Sequence, residues 1–109
     1  MIRYCFALDL IDDPILVAEY EVYHKNVWPE ILSSIKDSGI ERLEIYRTGS
    51  RLFMIIEAAD EFSMQKKAAA DAINPKVQQW EKLMWNYQHA LPNASPGEKW
   101  KRMDLIFKL

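Results

Sequence analysis

Tyr20, His24 and Trp28 stand four residues apart, and a helix puts side chains at i and i+4 on one face. An imidazole titrates near neutrality, so beside a phenol and an indole it could act as a general acid or base next to a stacking platform. The same spacing also fits a histidine at a helix terminus, with Tyr20 and Trp28 filling a core. One helix turn does not define an active site, so both readings stand at this level. The other histidine, His89, lies in Gln88-His89-Ala90-Leu91-Pro92 and reads as a solvated side chain in a loop or helix end. Two histidines so far apart, with no carboxylate pattern near either, make no metal motif, so no metal is expected.

Other chemistries find little support. Cys5 is the single cysteine, which excludes an internal disulfide and a cysteine zinc cage. In an apolar strand it reads as a buried, inert thiol. No serine or cysteine has a nucleophile-elbow context. Gly39, Gly49 and Gly97 are isolated and form no phosphate-cradling loop. Lys66-Lys67 is too short for a basic patch and reads as a solvated helix face. Trp80, beside Glu81 and Lys82, suits core filling and ligand stacking equally well. Trp85 and Tyr87 read as core or interface residues, and Trp100 as a candidate dimer contact.

The elements that must position these residues follow from periodicity. Residues 2–10 alternate, with Ile2, Tyr4, Phe6, Leu8 and Leu10 on one face, which reads as a strand. Asp12-Asp13-Pro14 opens a helix carrying Leu16, Tyr20, Tyr23, His24 and Val27. Pro29 opens a second helix, with Ile31, Leu32 and Ile35, and Gly39 ends it. Residues 40–48 and Arg51 to Ala58 read as strands joined by a short Thr48-Gly49-Ser50 connection, hence a hairpin. The second of these is apolar on both faces and is expected to be central and covered on both sides. Phe62 to Ile73 reads as a helix. Asn74-Pro75 caps another, with Val77, Trp80, Leu83 and Met84. Leu91 to Gly97 reads as a loop and Arg102 to Leu109 as the last strand. Phe6, Phe53 and Phe107 are assigned to the core.

The order β, αα, β, β, αα, β predicts an α+β fold, a ferredoxin-like four-stranded antiparallel sheet with helices on one face. One domain over residues 1–109 is expected. The uncovered sheet face should be buried by a second copy, so a homodimer is predicted. Half of the residues are hydrophobic and 28% are charged, which argues against disorder and fibrous structure. A net charge of −2 gives no electrostatic case for a nucleic-acid or anionic-membrane partner. Arg3 and Asp9 interrupt the N-terminal apolar run, and no stretch reaches the ~20 apolar residues of a membrane span. A cytoplasmic location is expected. Thirteen aromatics, four of them tryptophan, suit interfaces and sugar-like ligands.

Tyr20-x-x-x-His24-x-x-x-Trp28-Pro29-Glu30 resembles the signature of the L-rhamnose mutarotase family. So do the opening Met1-Ile2-Arg3, Asn74-Pro75 with Trp80 and Met84, the Leu91-Pro92 loop and the closing Ile106-Phe107-x-Leu109. The likeness runs from end to end. It implies a cofactor-free isomerase that interconverts the α and β anomers of a 6-deoxy-L-hexose, on a dimeric α/β-barrel type of fold. It implies His24 as proton donor, with Tyr20 and Trp80 on the sugar; Trp28 and Glu81 join them as candidate substrate-binding residues. Two positions depart from the family pattern. Leu43 replaces a pocket tyrosine, and Glu81 replaces a second tryptophan. Both changes bear on the sugar, and the chain is similar to the branch associated with L-fucose, which is favoured slightly over L-rhamnose. Two other classes compete: a monooxygenase of the dimeric α/β-barrel type and a non-catalytic sugar-binding domain.

Overall fold

The alternation along Ile2–Leu10 becomes β1, with Phe6, Leu8 and Leu10 buried on one face and Arg3, Cys5, Ala7 and Asp9 on the other. The computed structural model describes residues 1–109. Helix α1 (Pro14–Lys25) starts where expected, because Asp13 Oδ1 accepts from the Ile15 and Leu16 amides at 2.9 and 3.2 Å. Those amides have no partner inside the helix, and Pro14 has no amide to satisfy. Helix α2 (Pro29–Asp37) likewise begins on a proline. The chain turns out of it at Gly39, whose φ of +97° is a left-handed conformation that glycine adopts without strain. Strands β2 (Ile40–Thr48) and β3 (Arg51–Ala58) form the expected hairpin around Gly49-Ser50.

Helix α3 (Met64–Ala72) is shorter than the expected 62–73, since the Ser63 side chain accepts from the Lys66 amide and caps the helix there. Phe62 stays outside the helix and is buried against the sheet. Helix α4 (Pro75–Met84) is capped by Asn74 Oδ1, which accepts from the amides of Lys76 and Val77 at 3.1 and 3.3 Å. Two short strands complete the chain, β4 (Gln88–His89) and β5 (Lys101–Arg102).

All pairings are antiparallel, in the order β2-β3-β1-β4, with β5 also on β1. This is the expected α+β, ferredoxin-like order. The fourth position is split, however. Beside β1, His89 pairs with Asp9 and Gln88 with Leu10, while Arg102 pairs with Phe6 and Lys101 with Ala7. The intervening loop holds Pro92 and Pro96, and proline cannot donate to a ladder.

The expected last strand, Arg102 to Leu109, is corrected: the sheet holds only Lys101–Arg102, and Met103 adds one backbone bond to the Cys5 carbonyl at 2.8 Å. Beyond it the alternating apolar residues find no surface in this chain to cover. Leu105, Ile106, Phe107 and Leu109 are exposed, so Phe107 is not a core residue. His89, expected in a loop or helix end, is an exposed strand residue.

The helices lie on one face, where two apolar clusters fill the space. Leu10, Tyr20, Ile31, Leu52, Val77, Trp80, Met84 and Tyr87 form one, and Phe6, Ile40, Met54, Ile56, Ala58 and Phe62 the other. Trp100, half-buried, packs on both, so it serves this core rather than standing free for a dimer contact. Strand β3 is central, as expected, but only one of its faces is covered. Phe53 and Ile55 alternate with its buried residues and share the open face with Cys5 and Ala7, all four half-buried. The assignments of Phe53 to the core and of Cys5 to a buried site are corrected accordingly. No helix is long and apolar enough to cross a membrane.

Candidate active site

The last turn of α1 carries His24, and its position there fixes its chemistry. The ring Nδ1 lies 2.8 Å from the Tyr20 carbonyl oxygen. A carbonyl only accepts, so Nδ1 carries a hydrogen and donates it, which leaves the Nε2 lone pair free in the neutral ring. Burial pushes the His24 pKa below the usual 6.5, outweighing the bond to the carbonyl, which acts in the opposite direction. The imidazole is therefore neutral at pH 7, with one defined tautomer and one free lone pair.

Aromatic rings surround it. The Tyr20 ring centre is 4.3 Å away and the Trp80 ring centre 5.7 Å away, the latter edge-on at 66°. Trp28 meets Trp80 at 5.1 Å and 71°. Tyr23 and Tyr87 complete the group, with Tyr23 edge-on to Trp80 at 6.2 Å and 5.8 Å from Tyr87. Edge-to-face packing of this kind adds to the area buried and holds each ring at one angle. Tyr20 and His24 come from α1, Trp28 precedes α2, and Trp80 belongs to α4. The fold thus brings together four of the five sequence-predicted residues.

Glu81 is placed differently. It is half-buried, and no hydrogen bond joins it to Tyr20, His24 or Trp80. Its charge lies near Lys99, whose Nζ donates to the Glu81 carbonyl oxygen at 3.1 Å and sits 4.8 Å over the Trp85 ring. Burial lowers the Lys99 pKa, and the Glu81 carboxylate works against that shift. Leu43 packs half-buried on the second apolar cluster, beside its strand partner Ile56.

Sequence reasoning missed one polar member of the site. Gln88, only 6% exposed, donates from Nε2 to the Tyr20 hydroxyl at 3.3 Å. Its neighbours in sequence carry no motif, and only the pairing of Gln88 with Leu10 puts it under α1. Burial raises the Tyr20 pKa to about 12, ahead of the opposing effect of the Gln88 bond, so the phenol keeps its proton at neutral pH. No group of three or more His, Cys, Asp or Glu residues is arranged to hold a metal ion.

The arrangement offers one free imidazole lone pair, one protonated phenol and two indole rings. That set suits proton transfer on an uncharged molecule with a partly apolar face.

Comparison with known proteins gives the same direction. The family profile described as L-rhamnose mutarotase matches residues 3–109. A protein of Xanthomonas campestris named L-fucose mutarotase is 47% identical over 111 residues, covering 100% of this chain and 89% of its own. An Escherichia coli protein named L-rhamnose mutarotase is 31% identical over 98 residues, with 88% of each chain covered. The crystal structure of an L-rhamnose mutarotase from Formosa agariphila superposes with a TM-score of 0.74 at 20% identity, over 100% of this chain and 99% of that one, which establishes the shared fold. With a profile match over nearly its whole length, the chain belongs to the L-rhamnose mutarotase family.

Proposed function

We propose that residues 1–109 act as one mutarotase domain that interconverts the α and β anomers of a 6-deoxy-L-hexose, with L-fucose favoured over L-rhamnose. The observation that carries the reading is the His24 imidazole, locked by the Tyr20 carbonyl at 2.8 Å with Nε2 free among aromatic rings. In the proposed reaction Nε2 accepts the proton of the anomeric hydroxyl. The C1–O5 bond breaks, O5 takes up a proton, and the open-chain aldehyde forms. Rotation about the C1–C2 bond and closure on the other carbonyl face give the second anomer. On closure the imidazolium returns its proton to O1 and O5 gives up the one it had taken, so His24 is also the donor that the family resemblance implies. Tyr20 orients a sugar hydroxyl or relays the second proton. Trp80 and Trp28 cover the apolar sugar face and its methyl group, and Glu81 borders them.

The preference for L-fucose rests on two observations. The relative at 47% identity bears that name, against 31% for the Escherichia coli L-rhamnose mutarotase. L-fucose and L-rhamnose differ in hydroxyl orientation at C2 and C4, and this chain departs from the family's pocket pattern at two positions, with Leu43 for a tyrosine and Glu81 for a tryptophan. Leaving one buried polar group unpaired costs ~1–3 kcal/mol, or roughly 5- to 150-fold in specificity. Saturation-transfer NMR of anomer exchange with both sugars is expected to give a higher kcat/KM for L-fucose. Equal or rhamnose-favouring values would remove the preference and leave the reaction class in place.

The reading includes a cytoplasmic homodimer formed through the open sheet face. Cys5, Ala7, Phe53 and Ile55 form its apolar centre, rimmed by the ion pairs of Glu57 with Arg3 and Arg42 and of Asp9 with Arg51. A cleft of about 260 Å³ on this face is lined by Ala7, Tyr46, Phe53 and Met103 among others. A folded monomer of 12.8 kDa exposes about 6,300 Å² by mass scaling, whereas this chain exposes 7698 Å². The surplus of about 1,400 Å² exceeds the ~800 Å² that one side of a standard interface removes and falls in the range of one side of a larger, obligate interface. Phe53→Asp is expected to shift the protein from dimer to monomer in sedimentation velocity. A dimer that persists in this variant would place the interface elsewhere.

A further inference from the structure

We infer that Gln88 is a positioning residue for the sugar: it holds the Tyr20 hydroxyl as an acceptor and so turns the phenolic proton toward the ligand. The inference rests on the proposed site around His24. Three observations lead to it. First, Gln88 is buried at 6% exposure, where every other buried residue is aliphatic, aromatic or methionine. Second, its only side-chain bond is the 3.3 Å donation from Nε2 to Tyr20 Oη. Its other amide end, Oε1, is the one buried side-chain polar atom without a partner. Buried orphans of this kind are rare in folded proteins and call for an explanation beyond packing. Third, the position of Gln88 is set by backbone, not by its side chain. Gln88 pairs with Leu10 in the sheet, and the Ile11 amide donates to the Tyr87 carbonyl at 2.8 Å.

The chemistry follows from the inventory of donors and acceptors. A phenol has one proton and accepts through its oxygen lone pairs. With Gln88 supplying an N–H to that oxygen, the Tyr20 proton has no partner within this pair and is available to donate. Tyr20 stays protonated because of its burial. The result is a chain of donation from Gln88 to Tyr20 to a sugar oxygen, beside the imidazole at 4.3 Å between ring centres. Each link polarises the next. The acceptor on the sugar is a ring or hydroxyl oxygen, and the orphaned Oε1 remains a free acceptor beside this chain of donation.

The test is a double-mutant cycle with L-fucose as the probe, read by saturation-transfer NMR, with Gln88→Met, Tyr20→Phe and the pair. Gln88→Met is expected to lower kcat/KM about tenfold, mainly through KM. Tyr20→Phe is expected to lower it at least as much, and the pair no further than Tyr20→Phe alone, because both changes break one chain. The acid limb of the pH profile, which belongs to His24, should not move. Gln88→Leu is the second variant: it keeps much of the side-chain volume but has no N–H to donate to the phenol. It should lose activity as Gln88→Met does. Unchanged kcat/KM in either folded Gln88 variant, or additive effects in the pair, would overturn the assignment. His24→Ala in the same assay separates the two levels. Loss there with a normal Gln88→Met overturns only the role of Gln88, whereas full exchange in folded His24→Ala removes the site and this role with it.

Discussion

Replacing His24 by alanine is expected to lower the catalysed rate of anomer exchange by roughly 10²–10⁴-fold, the usual worth of a positioned general acid or base. The protein should remain folded. His24 is half-buried at the end of α1, and its one hydrogen bond goes to the carbonyl of Tyr20 on the same helix, so the core clusters do not depend on it. Saturation-transfer NMR reports the rate, and circular dichroism reports the fold. Retained exchange in a folded variant would move the proton shuttle to another group. The wild-type pH profile tests the same residue from the other side. Burial holds the His24 pKa below 6.5, so Nε2 carries its lone pair through neutral pH. The rate above the buffer reaction should be flat there and fall on acidification, with its midpoint below 6.5. The sign for stability agrees. The unfolded chain, with the ordinary pKa, binds the proton first, so the His24 contribution to stability is present above pH 6.5 and is lost as pH falls through the folded-state value. A rate that rises toward acid would show that the protonated ring starts the reaction.

Trp80→Ala is the second large effect, and it is expected in two observables at once. Trp80 is 9% exposed and packs with Tyr23, His24 and Trp28. Truncating a buried tryptophan costs about 3–5 kcal/mol, because the transfer energy is lost and a cavity remains. For a domain near this size each kcal/mol shifts Tm by about 4–8 °C, so the variant should melt more than 10 °C lower. Sugar turnover should fall as well, since the ring is the platform on which the proposed substrate lies. Trp80→Phe separates the two. A phenyl ring restores most of the packing but covers less of the sugar, so stability should recover more than kcat/KM. If both recover together, Trp80 is a core residue only, and the stacking surface belongs to Trp28.

Several elements were legible in the sequence because their causes are local. The capped starts at Asp13-Pro14 and Asn74-Pro75 lie within four residues of the amides they satisfy, and the spacing of Tyr20 and His24 is a property of one helix turn. The resemblance to the mutarotase family named His24, Tyr20 and Trp80, and the fold places all three together. Phe107 shows where this kind of reading stops. Its alternation with Leu105 and Leu109 is strand-like, yet a strand needs a partner, and these residues pair with no strand of this chain. Phe53 alternates just as well as Leu52 and Met54 do, but which face receives helices is not written in any single strand.

Glu81 and Gln88 mark the same boundary within the site. Adjacency to Trp80 made Glu81 a candidate, yet successive residues of a helix project about 100° apart, and its charge lies toward Lys99. Gln88 offered no signal at all, because it is 68 positions from Tyr20 and meets it only through two residues of pairing on β1. The order of elements, the helix caps and the residue types available for proton transfer were thus determined by short-range rules acting on the sequence alone. The burial of the His24 ring, the polar contact beneath Tyr20 and the face left open for a partner were decided only by tertiary structure. Each depends on groups far apart in the chain.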